Sequence, residues 1–190
     1  MREKVLRLPA LVGHRVHLRE WRQADVPAIQ EASHDPLIPL LTTVPSTSGV
    51  AEALAFIDRQ HDRLRTGAGY AFAIADQNDL VVGHIGLFFT AGAGARASIG
   101  YWIGSSRRRN GFAADALNTL TAWAVGLDTL DRLELYVEPW NEGSWRAAEH
   151  AGYKREGLMR AWERIDGKPR DMFMYAQLTT NAQQQSQTRL

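Results

Sequence analysis

One stretch constrains this chain more than any other. Residues 97–116 read ASIGYWIG, then SSRRRNG, then FAADA. The first part has the pattern of a strand. The last part begins an amphipathic helix in which Ala113, Ala116, Leu117, Leu120 and Ala124 share one face. Between them lies a basic turn containing Gly111. A helix N-terminus presents unpaired N–H groups and a positive partial charge, so it is suited to phosphate. Gly111 lets the backbone approach a ligand because no Cβ intervenes, and Ala113 keeps the first helical turn small. Arg107, Arg108 and Arg109 offer charge-assisted contacts to a pyrophosphate or a ribose phosphate. Read alone, the segment is equally a solvated basic turn ahead of an ordinary helix. It has neither the GxGxxG of dinucleotide folds nor the Gly-Lys-Ser/Thr of a P-loop.

The rest of the pattern sets this segment in a mixed α/β fold. Residues 14–20 alternate as a half-buried strand does. A short helix is expected over 23–33, a loop rich in Pro, Ser and Thr over 35–49, and a helix over Val50–Arg65 with Gly67 just beyond it. Strands follow at 70–75, 80–90 and 97–104, separated by Gln77-Asn78-Asp79 and by a Gly-rich turn. A helix over 112–125, a strand over 133–137 and a helix over 143–151 come next. A final strand pair, 153–163 and 170–178, is joined through Ile165-Asp166-Gly167-Lys168. An antiparallel meander followed by a strand–helix–strand crossover predicts a mixed, mostly antiparallel sheet. One domain over 1–178 is the simplest organisation. Residues 179–190, TTNAQQQSQTRL, lack the apolar surface that ordering requires and are expected to form a disordered tail.

Composition narrows the function classes. Lys plus Arg number 22 and Asp plus Glu 21, a net charge of +1. Nothing in this balance calls for nucleic acid or an anionic membrane as partner. The absence of cysteine excludes disulfides, thiolate zinc sites and a Cys nucleophile, and fits a cytoplasmic protein. His14 and His17 have no accompanying ligand pattern, so no metal is expected. The N-terminus lacks the apolar run of a signal peptide, and no stretch reaches the ~20 apolar residues that span a bilayer.

Four motifs in order carry a family resemblance. Arg108-Arg109-Asn110-Gly111-Phe112-Ala113 resembles the Arg/Gln-x-x-Gly-x-Gly/Ala signature of the GNAT superfamily of acyl-CoA N-acyltransferases. Ile99-Gly100-Tyr101-Trp102-Ile103 is similar to the strand before that signature in the Rim-type group, whose best-known members acetylate the N-termini of ribosomal proteins. The run from Val137 to Ser144 (VEPWNEGS) resembles that group's Asn-x-x-Ser element. Ala151-Gly152-Tyr153-Lys154-Arg155-Glu156-Gly157 resembles its Gly-aromatic-x-x-Glu-Gly segment. The likeness covers roughly residues 12 to 178.

The resemblance implies a GNAT fold: a twisted, mostly antiparallel sheet with one splayed parallel strand pair and helices on both faces. It implies acetyl-CoA, or another short acyl-CoA such as succinyl-CoA, as co-substrate. The backbone of Tyr101, Trp102 and Ile103 would bond the pantetheine arm. The turn of Arg108, Arg109, Asn110, Gly111, Phe112 and Ala113 would hold the pyrophosphate. The Asn141 amide would face the pantetheine, and Ser144 would donate a proton to the leaving thiolate, a role a hydroxyl suits. Both residues also suit helix capping, and Asn141 can do both. Many relatives carry Glu one residue before Ile-Gly-Tyr; this chain has Ser98. The base must then come from Glu138, His84, Glu163 or solvent, with Glu138 placed at the end of its strand. The acceptor is a primary amine, in a small molecule or at a protein N-terminus. The resemblance leaves a homodimer open. A non-catalytic acyl-CoA-binding protein on the same fold is the rival reading, with Ser98 as its main argument.

Overall fold

The computed structural model describes residues 6–90, 95–179 and 182. Its strands are β1 (Leu11–Val12), β2 (Val16–Arg19), β3 (Gly69–Asp76), β4 (Val81–Phe89), β5 (Arg96–Ile103), β6 (Arg132–Val137), β7 (Lys154–Ile165) and β8 (Lys168–Leu178). Its helices are α1 (Val26–Ser33), α2 (Ile38–Leu41), α3 (Val50–Arg65), α4 (Phe112–Ala124) and α5 (Glu142–His150). The strands hydrogen-bond in the order β1-β2-β3-β4-β5-β6-β8-β7. The mixed α/β architecture read from the sequence is therefore present. Chain contacts fall into two compact units, one of Met1–Gly86 with Tyr101–Ala116, the other of Leu87–Gly100 with Leu117–Leu190.

The first unit is built on β3. Its sequence GYAFAIAD is buried at every position but the last, so both faces are covered and the alternation of a half-exposed strand is lost. Helix α3 buries Ala53, Phe56, Ile57 and Gln60, which recur at three- and four-residue steps on one face. Ala53, Phe56 and Ile57 pack with Trp21, Ile29, Ala73 and Trp102 into one apolar cluster. Burying a side chain such as Phe56 contributes about 1.5–3 kcal/mol relative to leaving it in water. At the β3–β4 turn, Asp79 adopts φ +61 and gathers Arg19 (2.6 Å), Arg22 (2.7 Å) and His17 (3.0 Å). Arg19 is itself buried and paired with Asp25 at 2.8 Å. Hydrogen bonds from these side chains, Arg19 first, hold the Asp79 carboxyl well below the usual range.

The second unit centres on β6. It pairs in parallel with β5, Ser98 opposite Glu134, and antiparallel with β8. The parallel register stops at that pair, although β5 continues to Ile103 and β6 to Val137. Leu117, Leu120, Leu133 and Tyr175 are fully buried here. The Tyr153 hydroxyl bonds Thr121 Oγ1 at 2.9 Å. The β7–β8 turn is Asp166-Gly167, both at positive φ (50° and 69°), the two-residue geometry that matches strand twist.

Two local expectations are corrected. The loop over 35–49 contains helix α2; just ahead of it the buried Asp35 carboxylate accepts the backbone N–H groups of Leu37 (2.8 Å) and Ile38 (3.0 Å). Thr179, expected to open the tail, is fully buried; its N–H donates to Asp131 and its hydroxyl to the Leu130 carbonyl. Of the remaining tail, all but Ala182 lies outside the described residues.

Candidate functional site

In the first unit, β5 ends at Ile103 and the chain makes a 3-10 turn over Ser105–Arg107. Arg109 (φ +65) and Gly111 (φ +77) then turn left-handed before α4 begins at Phe112. Left-handed residues in a turn ahead of a helix can gather backbone N–H groups into a nest, the arrangement that binds anions. The Asn110 side chain holds the turn from inside, donating to the carbonyls of Arg107 (3.0 Å) and Arg108 (3.1 Å).

Each residue expected at this site can now be placed. Trp102 and Ile103 have buried side chains, so their contribution to a ligand is limited to backbone. Tyr101, Phe112 and Ala113 are half-buried; Arg109, Asn110 and Gly111 are exposed. Arg108 is also bonded within the protein. Its Nη2 pairs with Asp35 Oδ2 at 2.7 Å and its Nε donates to the Ile103 carbonyl at 3.1 Å. Nε and Nη2 are thus bonded within the protein, while the side chain remains 43% exposed. The Ser106 hydroxyl similarly bonds Glu31.

Sequence reasoning missed Arg15. Asp115, in the first turn of α4, accepts the backbone N–H groups of His14, Arg15 and Val16 at 3.2, 2.7 and 3.0 Å. This carries the Arg15 guanidinium to the turn, where Nη1 lies 3.5 Å from the Asn110 carbonyl oxygen. The two residues are 95 apart in sequence, and nothing local in either marks the meeting.

His84 is corrected as a base candidate. It is buried beside Trp21, Phe56 and Trp102, and the Trp21 indole N–H donates to its Nδ1 at 3.2 Å. Burial, with the Arg63 charge nearby, pushes its pKa down to about 3, far from the range a base near neutrality needs.

The second unit holds the other expected residues. Asn141 precedes α5 and its Oδ1 accepts the Ser144 N–H at 3.2 Å, so the capping role is realised. Ser144 is half-buried in the first turn. Glu138, just past β6, is 9% exposed, with Arg170 Nε 3.8 Å from its carboxylate. Glu163 is exposed on β7, in register with Arg170. Beside Ser98 stands a carboxylate that belongs to none of the four motifs. Glu134 is 1% exposed and receives Arg132 at 2.8 Å, Arg96 at 3.4 Å and the Tyr136 hydroxyl at 2.8 Å. Both arginines meet Oε1 and the tyrosine meets Oε2, so each oxygen of this buried carboxylate has a donor. Burial, with Glu134 beside it, pushes the Tyr136 hydroxyl up to about 12. Among the described residues no group of His, Cys, Asp and Glu could hold a metal, and no helix is long and apolar enough to cross a membrane.

With this geometry in place, the similarity to known proteins is informative. A domain model described as "Acetyltransferase (GNAT) domain" matches residues 15–154. The uncharacterized N-acetyltransferase p20 of Bacillus licheniformis is 27% identical over 172 residues, covering 90% of this chain and 97% of that protein. The probable N-acetyltransferase YjcK of Bacillus subtilis is 31% identical over 130 residues, 67% of this chain and 72% of that one. Among solved structures, Mycobacterium smegmatis RimJ in complex with CoA-disulfide superposes with a TM-score of 0.79 at 27% identity, over 91% of this chain and 88% of that one.

Proposed function

The chain belongs to the acetyltransferase (GNAT) domain family, and on that premise we propose that it transfers an acetyl group from acetyl-CoA to a primary amine within a ternary complex. The observation that carries this reading is the turn itself, with Arg109 and Gly111 left-handed at the start of α4. Such a turn offers backbone donors and a helix N-terminus to the coenzyme pyrophosphate. The matched segment runs through both units, which supports reading them as parts of one acyltransferase domain. The relatives named N-acetyltransferases support nitrogen as the attacked atom's partner, and the RimJ likeness supports CoA as the carrier.

In the proposed reaction the neutral amine attacks the thioester carbonyl. A tetrahedral oxyanion forms and is met by a backbone N–H of the Tyr101–Ile103 strand. The C–S bond then breaks, the acetyl group remains on nitrogen, and the thiolate takes a proton from the Ser144 hydroxyl, which regains one from solvent. The nitrogen gives up its proton to Glu138, directly or through water. With His84 buried, Glu138 is the acid of the original candidates that combines low exposure with a position at a strand end. The acceptor is an amine of a small molecule or a protein N-terminus.

The test is thiol release from acetyl-CoA across a panel of small amines and N-terminal peptides. Turnover on any member supports the reading. Tight CoA binding with no turnover on any of them would favour the non-catalytic rival, for which the absence of a carboxylate at Ser98 is the specific observation.

A further inference from the structure

Arg15 is the cation at the turn that no motif predicts. Its backbone is fixed by Asp115, whose carboxylate takes the N–H groups of three successive residues, His14, Arg15 and Val16. Hydrogen bonds to an ionised acceptor are roughly twice as strong as neutral ones, so this clasp holds the head of β2 to the start of α4. The side chain then crosses the turn. Cδ and Nε lie 3.7 Å from where a Cβ on Gly111 would stand. The bond from Nη1 to the Asn110 carbonyl is long, at 3.5 Å, and Arg15 makes no ion pair among the described residues. A guanidinium has five N–H donors in a fixed fork that matches phosphate oxygens. Most of those donors remain unspent and exposed, at the glycine over which the pyrophosphate is proposed to lie. Arg108, the arginine that opens the motif, is meanwhile committed to Asp35.

We propose that Arg15 binds the pyrophosphate of the acyl-CoA from outside the signature, and that Asp115 is its positioning residue. The inference rests on the acyl-CoA reading above. It makes the phosphate site a joint product of β2 and the turn, both within the first unit.

The test is calorimetric titration of the full chain with CoA and with 3′-dephospho-CoA, which retains the pyrophosphate but lacks the ribose phosphate. Arg15→Ala is expected to weaken both ligands by the same factor, about tenfold, the loss of a charged hydrogen bond. It should also flatten the dependence of affinity on salt, with the thermal midpoint unchanged because the side chain is exposed. Arg15→Lys should recover part of the affinity. Asp115→Asn should weaken CoA in the wild-type background and add nothing in the Arg15→Ala background. Unchanged affinity of Arg15→Ala for both ligands overturns the proposal. So does a loss confined to CoA, which would put Arg15 on the ribose phosphate. Additive losses in the double variant overturn the positioning role of Asp115. A wild-type chain that binds neither ligand overturns the acyl-CoA reading, and this inference with it.

Discussion

Arg108 Nη2 and Asp35 Oδ2 stand 2.7 Å apart, joining the signature turn to the carboxylate that meets the first N–H of helix α2. Asp35 is 1% exposed at its side chain, whereas Arg108 is 43% exposed. Removing the arginine therefore strands a buried carboxylate, while removing the carboxylate's charge costs less. Arg108→Met is expected to destabilise the fold by about 2 kcal/mol, in the range for a buried charged group losing its partner. Asp35→Asn keeps an oxygen for the Leu37 and Ile38 N–H groups and should cost less. Urea denaturation of the two single variants and the double checks this. Strictly additive losses would mean that the pair does not interact in solution.

Asn141 offers a way to separate capping from cofactor binding. Its Oδ1 caps α5, and the resemblance assigns its amide to the pantetheine. Asn141→Asp keeps the cap and places a negative charge at a helix N-terminus, where it is favourable. It removes the N–H donors. The expected result is native stability with CoA affinity weakened about tenfold, the range for one lost hydrogen bond with an acceptor left unpaired. Asn141→Ala should lose about 1 kcal/mol of stability as well. Equal CoA affinity in Asn141→Asp and wild type would reduce Asn141 to a cap.

Ser144→Ala separates binding from chemistry. The backbone N–H that Asn141 caps survives the substitution, so the helix keeps its start. The hydroxyl proposed to protonate the thiolate does not. Turnover is expected to fall about 100-fold or more, the contribution of one general acid, with CoA affinity little changed. An unaltered kcat removes Ser144 from the mechanism.

The elements that were legible in the sequence were those whose periodicity comes from a single face. Helix α3, with its apolar stripe, and the β7–β8 hairpin, with Asp166-Gly167 at its turn, needed no partner to be recognised. Helix α2 was not legible because its four residues, Ile38-Pro39-Leu40-Leu41, are too few to show a helical period. Asp35 looks like a loop acid until its second oxygen is seen to face Arg108. The use of Arg108 was hidden because a run of three arginines does not show which one turns inward. Arg15 and Asp115 belong to segments that the sequence places far apart. His84 sits in an apolar strand that could have carried an exposed base, and only the Trp21, Phe56 and Trp102 rings around it show that it does not.

His84 makes a prediction about pH. Its pKa is held near 3 in the fold by burial, against 6.5 for the unperturbed group. The unfolded chain therefore binds more protons than the folded one between these values. Stability rises with pH across that window and is level in this respect above it. As pH falls from 7 to 4.5, wild-type stability should drop more steeply than that of His84→Gln, which keeps an acceptor for the Trp21 N–H but does not titrate. Urea midpoints at the two pH values measure the difference, and parallel slopes would show that His84 takes up its proton as readily in the folded chain.

Gly111 supplies the most direct test of the phosphate turn, because its backbone strain and the space above it can be separated. Its φ is +77, which costs most side chains about 1 kcal/mol or more. The atoms nearest the position its Cβ would take are those of Arg15, at ordinary contact distance. Asn tolerates left-handed backbone better than other residues with a side chain. Gly111→Asn should therefore fold with nearly native stability, yet its side chain would occupy the space where a pyrophosphate must approach the backbone. Gly111→Val should lose both stability and ligand, since a β-branched residue is strained at this φ. Thermal melting and CoA titration of the two variants distinguish the effects. A Gly111→Asn protein that binds CoA as the wild type does would place the phosphates elsewhere and remove the turn from the site.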